Sequence, residues 1–134
     1  LMQAVFLATV LAACRRHGLH TAVDTCGQAP VEVLDAVAAF TDLWLFDLKT
    51  LDEQRHRDAT GVPLAPILEN LRRLDAAGAL VWIRIPLVPG FNDGDHDLDV
   101  RQRIPSIHIA GGGSFPENDV LILQQVDEDL VYFL

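Results

Sequence analysis

Two cysteines, Cys14 and Cys26, stand in 134 residues. Two thiols are too few for a disulfide framework or for a self-contained cysteine metal site. Their scarcity fits a reducing compartment, so the expected location is the cytoplasm. Positive charge is also short: ten Lys and Arg against 19 Asp and Glu give a formal net charge of −9. Nucleic acid is therefore not an expected partner, because phosphate binding needs a basic surface. Anionic lipid is disfavoured by the same charge. No run reaches the ~20 apolar residues of a membrane span, so no membrane association is expected. The sequence has no repeats and no low-complexity segment. What it does have is apolar bulk, with 50% hydrophobic residues. That is enough for one compact domain with a real core.

The apolar run "VFLATVLAAC" imitates a secretory signal ending at Cys14. A signal carries its positive charge before the apolar run. Here Arg15 and Arg16 follow it, as suits the C-terminus of a helix, and Gly18 supplies a stop. The reading is a buried helix over residues 2–17. A strand is expected at 20–24 ("HTAVD"). Pro30 can open a second helix, along which Val31, Leu34, Val37 and Ala38 make an apolar stripe. "LWLFDLK" then gives a strand at 43–48, apolar enough to suit a sheet covered on both faces. "TLDE" at 50–53 has the capping-box pattern and should start a short helix. Its polar residues His56 and Arg57 are expected on a solvated face. Leu64, Ile67, Leu68, Leu71 and Leu74 mark an amphipathic helix closed by Gly78, and "LVWIRI" is the third strand. Trp44 and Trp82 read as strand-packing residues. A turn-rich loop follows at 86–93.

Strands separated by helices pair in parallel through crossovers, which gives an α/β chain. Three strands suggest part of a β/α barrel or a small open sheet. In parallel connectivity the strand ends share one edge. That edge gathers Asp24 and Thr25, Asp47 and Lys49, and Arg84. Asp47 and Lys49 project from the same face of their strand. They could form a structural ion pair, or grip a small molecule at the rim where α/β folds bind ligands.

"HTAVDTCG", "DLWLFDLKTLDEQRHRDATG", "ILENLRRL" and "VWIRIPLVPGFND" occur in the order and spacing of one family. Over about residues 1–95 the chain resembles the activating enzymes of glycyl radical enzymes, such as the pyruvate formate-lyase activating type, within the radical S-adenosylmethionine (SAM) superfamily. The resemblance implies a partial β/α, TIM-like barrel that holds a [4Fe–4S] cluster. It implies that SAM is cleaved reductively to a 5′-deoxyadenosyl radical, which takes a hydrogen from a glycine of the partner enzyme. It implies a reductant such as flavodoxin or ferredoxin. By the same resemblance, Asp24, Thr25 and Asp47 hold a monovalent cation beside the SAM carboxylate, with the backbone near Leu45 contributing. Lys49 contacts that carboxylate, and Arg84 faces the SAM and substrate-peptide region. A carboxylate ligand beside Asp24 and Asp47 needs such offsetting positive charge.

Two family features are missing from the sequence. The Cys-x3-Cys-x2-Cys cluster motif does not occur, so the chain has no iron–sulfur ligands. No "Leu-Pro-Tyr-His"-like segment follows residue 99, and "IHIA" at 107–110 does not match it. The expectation is the central part of a barrel over residues 1–99, inactive alone, with an atypical tail at 100–134. Two other classes stay open. One is a small lyase or isomerase using Lys49 and Asp47 on a carbonyl substrate. The other is a non-catalytic module that keeps a partner-docking surface.

Overall fold

A computed structural model describes residues 3–86, 88–92, 108–109 and 119–120. Helices and strands alternate as α1 (Ala4–Arg16), β1 (Ala22–Thr25), α2 (Val31–Ala38), β2 (Leu43–Asp47), α3 (Glu53–Thr60), α4 (Ala65–Ala76) and β3 (Val81–Arg84). The sheet order is β1-β2-β3, all parallel. A second, two-residue parallel pair joins β4 (His108–Ile109) and β5 (Asp119–Val120). Apart from that pair, the expected atypical tail lies outside the described residues, as does residue 2 of the first expected helix.

Strand order that runs in sequence without reversal is barrel-like, since a doubly wound sheet must reverse its order. The core supports that reading. Val23, Trp44, Phe46, Leu48, Ile83 and Ile85 share one sheet face and one buried cluster with Leu11, Leu34, Val37, Ile67, Leu71 and Leu74 of the helices. Each such side chain contributes roughly 1.5–3 kcal/mol on burial. The opposite face carries Asp24, Leu45, Asp47, Trp82 and Arg84, which are half-buried or exposed. The expectation of a sheet covered on both faces is therefore corrected for the described residues. The apolar run in β2 reflects one packed face and a second, open inner face. The expected buried helix is corrected too: Val5 and Phe6 of α1 are 84% and 67% exposed, and Leu11 is its buried residue.

Local chemistry shifts three boundaries or faces from expectation. β1 begins at Ala22 because Thr21 is taken up in a clamp. Its N–H donates to Asp42 Oδ2 at 2.8 Å, and Asp42 N–H returns a bond to Thr21 Oγ1 at 3.1 Å. The capping box fails as well. Asp52, not Thr50, caps α3, accepting from Arg55 N at 2.8 Å, while Thr50 Oγ1 accepts from Asp52 N. Glu53 reaches forward to Leu64 N and Arg57. His56 is buried at 3% exposure rather than solvated. Its Nδ1 lies 3.0 Å from the Val62 carbonyl, so the ring closes the turn after α3.

The Asp42 clamp ties the starts of β1 and β2 together, and Arg73 of α4 grips Asp35 of α2 with two bonds of 2.8 and 2.9 Å. Hydrogen bonding from the Thr21 N–H, then from its hydroxyl, holds Asp42 below the ordinary carboxylate value. The Arg73 side chain does the same for Asp35. A lowered folded-state value means stability that is present above about pH 4 and lost as pH falls through the folded-state values. Melting curves from pH 7 to pH 2.5 should therefore show a modest acid loss, because solvent screens both carboxylates. Asp42→Asn should flatten that slope, and a slope unchanged in the variant would count against the clamp.

Candidate functional site

The C-terminal ends of the three strands carry the charged residues of the inner face. Register places Asp24, Leu45 and Trp82 in one row across the sheet, and Asp47 beside Arg84 in the next. Arg84 bridges the two rows. Its Nε donates to Asp47 Oδ1 at 2.6 Å and its Nη2 donates to Asp24 Oδ1 at 2.5 Å. Lys49 Nζ stands 3.5 Å from the other Asp47 oxygen. Partial burial opposes the Arg84 cation, but hydrogen bonds to Asp24 and Asp47 outweigh it and hold the group above the ordinary arginine value.

Four of the five expected site residues thus converge: Asp24, Asp47, Lys49 and Arg84. Thr25 does not join them through its side chain. It points to the helix-packed face, 7% exposed, and its Oγ1 accepts from Gly27 N at 3.0 Å. Alternation along β1 makes this unavoidable, because neighbours on a strand face opposite ways. Lys49 is the sole lysine of the chain. Its side chain is 33% exposed and faces a carboxylate. That is the reverse of the dry setting an imine-forming lysine needs, which weakens the lyase or isomerase reading.

Buried amides hold the loops that carry these residues, and sequence reading passed over both of them. Asn70 of α4 donates to the carbonyls of Gly27 and Ala29 at 2.8 and 2.9 Å, fixing the loop after β1. Asn92, 1% exposed, does the same beyond β2 and β3. The available signal was polarity at a core position of an amphipathic stripe for Asn70 and an Asn ending a Pro-Gly turn for Asn92.

Donor chemistry tests the implied groups. Asp24 and Asp47 offer the hard oxygens that an alkali ion prefers, and Arg84 supplies the positive charge between them in this structure. A [4Fe–4S] cluster does not fit: Cys14 and Cys26 cannot give three thiolates. Among the described residues, no three His, Cys, Asp or Glu side chains are grouped to hold a metal. Two concave regions of about 550 and 320 Å³ lie away from the charged cluster, between α1 and α2 and beside Pro63 and Pro66. The charged site is instead an open rim on the inner sheet face. No helix among the described residues is long and apolar enough to cross a membrane.

Sequential parallel strands with helices packed on one face define part of a β/α barrel, and its strand ends carry the charged rim. The chain belongs to the radical SAM superfamily, whose family model matches residues 1–101. It is 46% identical over 94 residues to the benzylsuccinate synthase activating enzyme of Thauera aromatica, covering 69% of this chain and 28% of that one. It is 43% identical over 91 residues to the pyruvate formate-lyase 2-activating enzyme of Escherichia coli, covering 68% and 31%. A crystal structure of a domain of pyruvate-formate lyase-activating enzyme from Bacteroides vulgatus superposes with a TM-score of 0.67 at 38% identity, over 72% of this chain and 60% of that one. The chain spans about a third of the length of the curated relatives it matches.

Proposed function

We propose that this chain is the central part of an enzyme that activates a glycyl radical enzyme, and that its strand-end cluster holds the amino-acid portion of SAM. The carrying observation is the convergence of Asp24, Asp47, Lys49 and Arg84 on one rim in a radical SAM chain. An iron–sulfur cluster would supply the electron for reductive SAM cleavage, and the two cysteines of this chain cannot hold one. This chain's own residues bind and orient. The Lys49 ammonium has three donors and, among the described residues, one weak partner at 3.5 Å, so it can take the ligand carboxylate. Asp24 and Asp47 would share a monovalent cation beside that carboxylate, with Thr25 offering only its main chain. Arg84 then turns toward the ligand or the partner's peptide.

The partner is a glycyl radical enzyme, of which pyruvate formate-lyase is one kind, and the reductant is a flavodoxin or ferredoxin. The setting is the cytoplasm, where the free thiols of Cys14 and Cys26 stay reduced. Binding tests the reading better than turnover does, because two cysteines leave this chain without the cluster. Equilibrium dialysis with SAM should show saturable binding, weakened about tenfold by Lys49→Met through loss of one charge-assisted contact. No binding by the wild-type chain, or an unchanged affinity in the variant, would sink the assignment.

A further inference from the structure

We infer that Asn92 is the positioning residue for Lys49, a role that rests on the SAM-carboxylate reading above. Pro86 marks the end of the sheet ladder. The ladder between β2 and β3 runs as far as Leu48 N–H donating to the Arg84 carbonyl at 2.9 Å. The next rung would need a donor from residue 86, and proline has none. Just past that lost rung, whose acceptor would be the Leu48 carbonyl, stand two further carbonyls, those of Lys49 and Pro86. Asn92 Nδ2 donates to both, at 2.6 and 2.7 Å. Its Oδ1 accepts from Val88 N at 2.7 Å, which closes the loop on itself. The two carbonyls require the amide nitrogen and the Val88 N–H requires the amide oxygen, so the network fixes the orientation of the group.

Every hydrogen of the Asn92 amide nitrogen is thus used on main chain, in a side chain with 1% exposure. No other residue type of this size presents two donors and one acceptor from one planar group. The consequence falls on Lys49. Its side chain leaves the backbone one bond from the carbonyl that Asn92 holds, immediately past the end of β2. A second tether supports the loop, as Arg55 Nη1 of α3 donates to the Phe91 carbonyl at 2.8 Å. The main chain that carries the Lys49 side chain is therefore held by Asn92, because the sheet ladder itself ends before it.

A merely structural role for Asn92 would weaken every ligand alike. The positioning role weakens only ligands with a carboxylate for Lys49. In the full chain, Asn92→Ala should lower affinity for SAM about tenfold and leave affinity for 5′-methylthioadenosine, which lacks the amino-acid portion, within twofold. Asn92→Ser keeps one donor, is gentler on folding, and should fall between. In a Lys49→Met background, Asn92→Ala should cost SAM binding nothing more, since coupled residues do not add. Equal losses for both ligands, or losses that add to those of Lys49→Met, would overturn the inference.

A ligand-free readout separates this claim from the proposed function. Lys49 is the sole lysine, so its acylation by an amine-reactive reagent can be followed by mass spectrometry at one site. Release from its place beside Asp47 should raise the labelling rate several-fold in Asn92→Ala and less in Asn92→Ser. A wild-type chain that binds no SAM removes the ligand assignment, while the labelling rate still decides the positioning. A rate unchanged in both variants would refute it.

Discussion

Gly27→Ala should leave the chain barely folded at room temperature, with a loss of about 4 kcal/mol that adds left-handed strain to overpacking. Gly27 sits in the loop after β1 with φ +76°. That is a conformation side chains other than glycine adopt only with strain. An added Cβ would lie 2.1 Å from Phe46 Cζ and under 3 Å from both Cε atoms. Phe46 has no exposure and is locked in the core, so it cannot swing aside at small cost. The loop is fixed from both sides as well, since Gly27 N–H donates to Thr25 Oγ1 and its carbonyl accepts from Asn70. Set against a typical domain stability of 5–15 kcal/mol, that loss removes most of the margin of a small domain. Urea unfolding of the wild type and the variant gives the difference directly. Adding Phe46→Leu to Gly27→Ala should recover part of it by making room, leaving the backbone strain. A loss below about 1 kcal/mol would mean that the loop shifts freely, and that its hold on the end of β1 is weak.

Most of the alternation was legible because its signals are local. The stripe of Ile67, Leu71 and Leu74 on α4 and the apolar run of β2 each carry their own period, and the structure places them as read. Parallel connectivity then follows from chain order, and with it the gathering of Asp24, Asp47, Lys49 and Arg84 at one edge. Which face a side chain takes was less secure. Thr25 neighbours Asp24 in sequence, but the pleat sends it into the helix-packed layer. His56 looked solvated because α3 is polar almost throughout. Its burial depends on the turn at Val62 folding back over it, a tertiary fact. Asn92 was invisible for the same kind of reason. Its three bonds reach Lys49, Pro86 and Val88, past the last rung of the ladder, and they are tertiary contacts that no local pattern announces. The family resemblance supplied roles that periodicity could not, and the geometry then separated the four residues that meet from the one that does not.

Arg84→Gln should cost about 2 kcal/mol of stability, below the 3–5 kcal/mol typical of breaking a fully buried pair because this cluster is only partly shielded. Asp47 is 14% exposed, Arg84 28% and Asp24 48%. Removing the guanidinium leaves two carboxylates facing each other's field on the inner sheet face, with Lys49, 3.5 Å from one of them, as the remaining cation among the described residues. Repulsion, more than a lost bond, then sets the size of the effect. Two consequences follow from that cause. Asp47→Asn added to Arg84→Gln should recover roughly half of the loss, a non-additivity expected of residues in one network. Raising salt to about 1 M, where the screening length is about 3 Å, should also narrow the gap between variant and wild type. Arg73→Gln is the control. Arg73 pairs with Asp35 at comparable distances, but both side chains are about half exposed. Its loss should stay within the range of up to about 1 kcal/mol usual for surface pairs. Equal losses at the two arginines, or an Arg84→Gln loss indifferent to both salt and Asp47→Asn, would show that Arg84 acts through packing alone. The proposed charge balance of the rim would then fail, and the case for a SAM site at these strand ends would lose its electrostatic basis.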